Sequence, residues 1–320
     1  MLDTPVVLTI FNRSDLTKLV FQAIAQARPK RLFVLADGPR SPDEAELCAR
    51  TRAVTETVDW DCDVKADFSE VNLGCRRRCA SGFDWVFSQV DAAIFLDDDC
   101  VPDPTFFPFC EAMLEHYRDD MRVMMITGSN YLESWKADSQ SYHFSYFGSP
   151  WGWASWRRAW KFYDVTMKSW GDEEIKARIR DVLADEECFV FQARRFDALY
   201  ANPGDRHSWD LPWSFARLLQ SGLTVVPAVN LISNRGCVGG GNALPPTHPI
   251  ANLPTAPISY PIRFQVSVSV DRLYDQRHIR RFTARDQISS KPRVQSGTLY
   301  HRIARKLGRR LAHMLRGVGD

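Results

Sequence analysis

The chain of 320 residues carries 45% hydrophobic and 25% charged residues with a net charge of +2, a balance that excludes disordered and fibrous classes and allows a sizeable core. No apolar run reaches the roughly 18 residues that span a bilayer, and the eight cysteines (48, 62, 75, 79, 100, 110, 188 and 237) form no CxxC pair, so neither a transmembrane helix nor a zinc finger is expected. The small net charge hides an asymmetry: residues 272–316 hold 13 Lys and Arg against Asp275 and Asp286, which leaves the rest of the chain acidic.

The first residues, Met1-Leu2-Asp3-Thr4-Pro5, enter a strand without a basic-then-apolar leader. Secretion is therefore not expected, and the thiols are expected reduced in a cytoplasmic protein. Val6 to Phe11 reads as a buried strand, followed by a helix capped by Ser14 with Leu16, Leu19, Val20, Ala23 and Ile24 on its apolar face. Arg31 to Ala36 is a second strand, ending at Asp37-Gly38. Ser41-Pro42-Asp43-Glu44 then has the form of a capping box with Pro at the first helical position. Cys62 to Ala66 is a shorter strand; Asn72-Leu73-Gly74 is a turn; Phe83, Val86, Phe87 and Val90 mark the next helix. Ala92 to Leu96 is the fourth strand, and it runs into Asp97-Asp98-Asp99. This alternation predicts an α/β fold with a mostly parallel, doubly wound sheet, whose ligands bind at the carboxyl ends of the strands.

Beyond residue 100 the pattern is less regular. A helix is expected from Pro104, a strand at Val123 to Thr127, a helix from Asp172 to Ala184 and a strand from Val225 to Ile232. Between them lies the aromatic stretch Trp151-Gly152-Trp153-Ala154-Ser155-Trp156, and a Gly- and Pro-rich loop spans Gly236 to Pro261.

Three adjacent carboxylates at the end of an Ile-Phe-Leu strand repel one another and resist burial unless a cation joins them. A divalent metal carrying a diphosphate is one such partner, and a solvated acidic turn is the plain alternative. The surrounding motifs carry a resemblance. Thr9-Ile10-Phe11-Asn12-Arg13, Ala36-Asp37-Gly38, Asn72-Leu73-Gly74, Phe95 to Asp99, Trp209-Asp210 and Thr247-His248 together resemble the GT-A glycosyltransferases, the Rossmann-like nucleotide-diphospho-sugar transferases. Within that fold the chain is similar to bacterial family-two-like enzymes and, more distantly, to inverting N-acetylglucosaminyltransferases. The likeness runs over residues 4–250.

The resemblance implies a GT-A domain at residues 1–265, with a nucleotide-binding half (1–128) and an acceptor half (129–265), and a basic C-terminal extension at 266–320. It puts Phe11, Asn12 and Arg13 on the nucleoside, Asp37 on a uracil-like base edge and Asn72 near the donor. It makes Asp99 the ligand of Mn2+ or Mg2+, Asp98 a donor contact and Asp97 a supporting group. Trp153 would stack on a sugar, with Gly152 permitting close approach of backbone. Arg235 is a candidate for the diphosphate, and His248 a candidate for the metal. Asp210, between Trp209 and Pro212-Trp213, is the expected general base, because an inverting transfer needs a carboxylate to take the acceptor hydroxyl proton. The same residue reads otherwise as a helix N-cap; Glu187 and Asp205 are fallback candidates.

The expected activity is an inverting, metal-dependent transfer from a UDP-linked sugar to a hydroxyl of a glycan or lipid-linked acceptor. A sugar-nucleotidyltransferase and a non-catalytic nucleotide-sugar-binding protein are the alternatives. The first of these usually has a Gly-rich loop after the first strand, whereas Phe11-Asn12-Arg13-Ser14 has no glycine. In the tail, Leu299, Ile303, Leu307, Leu311 and Leu315 recur at near-helical spacing with cations between. A basic amphipathic helix of this kind binds anionic membrane surfaces, so peripheral contact through 298–316 at the inner face of the cell membrane is expected, and nucleic acid is not.

Overall fold

The computed structural model describes residues 1–202, 204, 209–236, 248 and 250–289, with side chains as far as 281. The elements in chain order are β1 (Val6–Ile10), α1 (Ser14–Ala27), β2 (Arg31–Ala36), α2 (Pro42–Val54), β3 (Asp63–Phe68), α3 (Cys75–Phe87), β4 (Ala92–Asp97), β5 (Cys100–Pro102) and α4 (Phe106–His116). There follow β6 (Val123–Thr127), β7 (Tyr142–Ser145), β8 (Trp153–Trp156), α5 (Arg157–Trp160), α6 (Glu173–Leu183), α7 (Glu186–Ala201), α8 (Asp210–Leu219), β9 (Leu223–Pro227), β10 (Ile232–Asn234) and α9 (Arg272–Ser289).

Eight strands form one sheet in the order β3-β2-β1-β4-β8-β6-β9-β7, and β10 pairs with β5 in a small second sheet. The ladders β3-β2, β2-β1, β1-β4 and β6-β9 are parallel; β8 and β7 run against their neighbours. This is the mostly parallel, doubly wound α/β sheet that the alternation predicts. Its registers align the strand ends, because Thr9 faces both Leu35 and Asp97, and Leu35 faces Asp67. The loops after β1, β2, β3 and β4 therefore leave from one edge.

The two faces of the sheet follow from residue alternation. Val6, Leu8, Ile10, Ile94 and Leu96 pack with α1 and α4, whereas Val7, Phe33, Ala93 and Phe95 pack with α3 and α8. A third apolar cluster joins α6, α7 and α8 around Trp170, Phe196 and Phe215. The chain divides into two units, Met1–Arg280 and Arg281–Asp320.

Several local expectations change. In α1 the buried positions are Thr17, Val20, Phe21 and Ile24, while Leu19 is exposed, and Ser14 is the first helical residue rather than the cap. At α2, Ser41 is the N-cap residue but makes no side-chain cap bond; Glu44 instead accepts the Arg40 amide and pairs with its guanidinium. The strand read as Val225 to Ile232 is two strands, β9 and β10. Pro227 has no amide to donate to a ladder, and buried Asn230 ties the break by donating to the carbonyls of Ile232 and Pro254.

Candidate active site

The acidic run closes β4 and turns directly into β5. Asp97 still pairs with Thr9 in the parallel ladder. Its carboxyl is pushed well above the usual range, first by burial and then by Asp99, the Cys75 thiol and Asp98. Burial of this kind disfavours the charged form, which suits a supporting position. Asp98 is 3% exposed and its carboxyl is pushed up to about 6, with burial and Asp99 acting against the lowering by Arg13 and the Phe11 amide.

Arg13, at the start of α1, reaches over this run. Its Nη2 contacts Asp98 Oδ1, its Nε lies 3.4 Å from Asp98 Oδ2, and its Nη1 lies 2.9 Å from Asp99 Oδ2. Burial opposes the guanidinium charge, but Asp98 and Asp99 outweigh it and hold the group firmly cationic. Sequence reading assigned Arg13 to the nucleoside; in the structure it spans the two carboxylates.

The small second sheet supplies the rest of the surroundings. Antiparallel pairing sets Asn234 opposite Cys100. Asn234 Nδ2 then donates to Asp99 Oδ1 at 3.1 Å, with the Cys100 thiol 3.4 Å from the same oxygen. The Arg235 amide donates to the Asp99 carbonyl at 2.7 Å, and the Gly236 amide to Asn234 Oδ1 at 2.9 Å. A Cβ at Gly236 would stand 1.9 Å from Asp99 Oδ2 and 2.8 Å from Arg13 Nη1, so only glycine lets this backbone lie against the carboxylate. Asn234 and Gly236 were not singled out for roles at the site. The signal available was a second Asn-x-Gly, matching Asn72-Leu73-Gly74.

Asp37 corrects an expectation. Its Oδ1 accepts the amides of Gly38 and Leu73, and its Oδ2 accepts the Gly74 amide and Asn72 Nδ2, all within 3.1 Å. The Asn72 amide also donates to the Gly38 carbonyl at 2.7 Å. A buried carboxylate with both oxygens so engaged fastens one loop to the next and has little left for reading a base. Asn12 faces away from the acids, with Nδ2 on Glu44 Oε1 at 3.1 Å, and the Arg40 guanidinium lies over the Phe11 ring.

Trp153 is a second correction. It is 1% exposed on β8, stacked on Phe95 with centroids 4.3 Å apart and packed with Trp160, Trp209 and Trp213. Both ring faces are spent in the core, and no sugar can stack there. Gly152, at φ +57°, keeps its backbone close to Ile232, where a Cβ would meet Cδ1 at 2.3 Å. Its approach serves packing instead.

Asp210 is the first residue of α8, with Trp209 as its N-cap, so the plain capping role does not apply. A carboxylate in a first helical turn is favourably placed against the helix dipole. Arg195 of α7 lies 4.0 Å away, a half-exposed pair of little energetic weight. Burial holds the Tyr131 hydroxyl above its usual pKa, and both Asp210 and Cys100 add to that effect. Cys100, the residue after the acidic run, and Asp210 thus act on one hydroxyl, which is bonded to Ser149. Tyr163 likewise senses Asp210 and Arg76. Neither tyrosine stood out in the sequence, because their position comes from packing rather than from a motif.

Glu187 pairs with Arg280 at 3.1 Å, and Asp205 lies outside the described residues. His248 is half-buried, with its carbonyl accepting the Ala251 amide, while Thr247 and the segment 298–316 also lie outside the described residues. Among the described residues, no group of three or more His, Cys, Asp or Glu is disposed to hold a metal ion, and no helix is long and apolar enough to cross a membrane. Asp98 and Asp99 nevertheless offer hard oxygen donors that suit Mg2+ or Mn2+ with further ligands from phosphate and water.

No family model matches the chain, and no curated protein matches it. Among solved structures, a cytidylyltransferase from Leptospira borgpetersenii is 8% identical over 50% of this chain and 63% of its own, with a TM-score of 0.33. The galactosyltransferase LgtC in complex with donor and acceptor sugar analogues is 12% identical over 53% of this chain and 64% of its own, with a TM-score of 0.31. The chain thus spans just under two thirds of each. An active-site mutant of LgtC is 10% identical over 86% of this chain and 94% of its own, with a TM-score of 0.39. At such scores these are faint likenesses, and the fold is defined by the strand order and registers.

Proposed function

We propose that the protein is an inverting glycosyltransferase that moves a sugar from a UDP-linked donor to a hydroxyl of a glycan or lipid-linked acceptor, with Mn2+ or Mg2+. The observation that carries this reading is the pairing of two differently furnished carboxylate positions. Asp98 and Asp99 sit with Arg13 where β1 and β4 end, and Asp210 stands apart at the start of α8.

In the reaction the acceptor oxygen forms a bond to the anomeric carbon as the bond to the diphosphate breaks, and the acceptor proton passes to a base. Asp210 takes that proton. Arg13 and Arg235 supply positive charge toward the departing diphosphate, and Asp99, aided by Asp98, would hold the cation. When bound, the cation neutralises charge developing on the leaving group. The basic segment 298–316 is the reason for including lipid-linked acceptors.

Release of UDP from a panel of UDP-sugars, measured with Mn2+ and with chelator, tests the reading. Loss of release in chelator and in both Asp99→Asn and Asp210→Asn is expected. Undiminished turnover in both variants would overturn it.

A further inference from the structure

Arg13 does not treat its two carboxylates alike. Toward Asp98 it presents a fork, Nη2 on Oδ1 and Nε toward Oδ2, and Asp98 is buried. A buried carboxylate robbed of its only guanidinium would be left uncompensated, so this arm has reason to stay. Toward Asp99 it offers a single contact, Nη1 to Oδ2 at 2.9 Å, on a side chain that is 13% exposed.

The other Asp99 oxygen, Oδ1, is already held by Asn234 Nδ2 and approached by the Cys100 thiol. Oδ2 is therefore the oxygen able to change partner without disturbing the β5-β10 ladder. The backbone of Gly236 packs closely against the same two atoms, since a Cβ there would stand 1.9 Å from Asp99 Oδ2 and 2.8 Å from Arg13 Nη1. One guanidinium charge is shared between two carboxylates, whereas a divalent cation brings two charges and prefers hard oxygen.

We propose that Arg13 is an internal placeholder: its fork stays on Asp98, while Nη1 occupies Asp99 Oδ2 until a divalent cation takes that oxygen and frees the arm for the donor diphosphate. This rests on the reading of Asp99 as the cation ligand. Cation entry and diphosphate capture are then one coupled event. A metal-free protein keeps its acidic pair neutralised from within.

The test is a Mn2+ titration of the full chain without nucleotide, read from the EPR signal of free Mn2+, on wild type, Arg13→Gln, Arg13→Lys and Asp99→Asn. Both Arg13 variants should bind Mn2+ about tenfold more tightly, the amount by which a site nine-tenths occupied by a competing arm is weakened. Arg13→Lys keeps a charge for Asp98 and guards against a folding defect in Arg13→Gln. Added UDP should tighten Mn2+ binding in wild type and much less in either Arg13 variant. Equal or weaker Mn2+ binding in both Arg13 variants, with Asp99→Asn still losing it, overturns the placeholder and leaves the assignment of Asp99 standing. Wild-type affinity in Asp99→Asn, or no binding by any form, overturns both.

Discussion

The carboxylates at the end of β4 and the ionisable groups between β7 and α9 meet burial in opposite ways. At β4, Asp98 and Asp99 share the Arg13 guanidinium, an ion partner that works against the burial of Asp98. Behind β7, Asp275 is 4% exposed and its carboxyl is pushed up to about 7, chiefly by burial, with Ser145, the Tyr146 amide and Arg272 pulling the other way. Next to it His143, with no hydrogen-bond partner on either ring nitrogen among the described residues, is pushed down to about 3 by burial. Arg217 is lowered to about 10 for the same reason, and its Nη1 donates to Thr224 Oγ1 and the Tyr146 carbonyl. One cluster meets burial with an ion pair. In the other, burial shifts each group toward its neutral form.

The contrast can be broken most sharply at Asp210. Asp210→Asn should lower kcat for UDP release by about 10²–10⁴-fold with donor KM little changed, the range for loss of a general base. Asp99→Asn should cost about 10²–10³-fold, as loss of charge stabilisation at a leaving group does. Asp275→Asn, assayed beside them, should leave kcat within about twofold (on the order of 0.5 kcal/mol), since its hydrogen bonds go to Ser145 and the Tyr146 amide and to none of the residues assigned to the reaction. A comparable loss there would erase the distinction between the clusters.

Gly236→Ala probes packing at the charged cluster. The added carbon must displace Asp99 or the loop, at about 1–3 kcal/mol of stability, the usual range for overpacking, read as a shift in the urea midpoint. It should also weaken Mn2+ binding, which Ala substitution at Gly152 has no route to do.

A last set of effects is that of pH on the buried cluster behind β7. His143 remains neutral in the fold but takes a proton when unfolded, so it subtracts stability as pH falls from 6.5 toward 3. Asp275 has the opposite sign: its contribution is intact below 3.8 and is lost as pH rises toward 7. Each slope is at most about 1.4 kcal/mol per pH unit. Urea midpoints at a series of pH values should show His143→Phe without the acid-side loss and Asp275→Asn without the loss on the rise to neutrality. Unchanged profiles in both would mean that neither group titrates abnormally.

Much of the fold was legible, for definite reasons. The strands of the first half are short, apolar and punctuated by Asn, Asp and Gly, so their ends and the loops leaving them could be placed. What was hidden depended on partners far away in sequence. Asp37 looks like a free acid at a strand end, and only the approach of the 72–74 turn reveals that its oxygens are taken. Trp153 looks like a sugar platform because an aromatic ring carries no mark of which surface it will face. Its burial follows from the antiparallel β8 sliding beside Phe95, a pairing that no local pattern announces. The division of β9 from β10 was marked by Pro227 and Asn230, but an uninterrupted apolar stretch outweighed them.

The two-stranded ladder of β5 and β10 also bears on how the protein comes into being. It joins Asp99 to Asn234 across 135 positions, so these residues cannot meet until β10 has been synthesised. Contacts so distant in sequence form late, after the local βαβ units have collapsed. The amino-terminal strands, alone, would leave the end of the acidic run without its Asn234 contact. The cation site proposed at Asp99 would be complete only after β10 has joined β5.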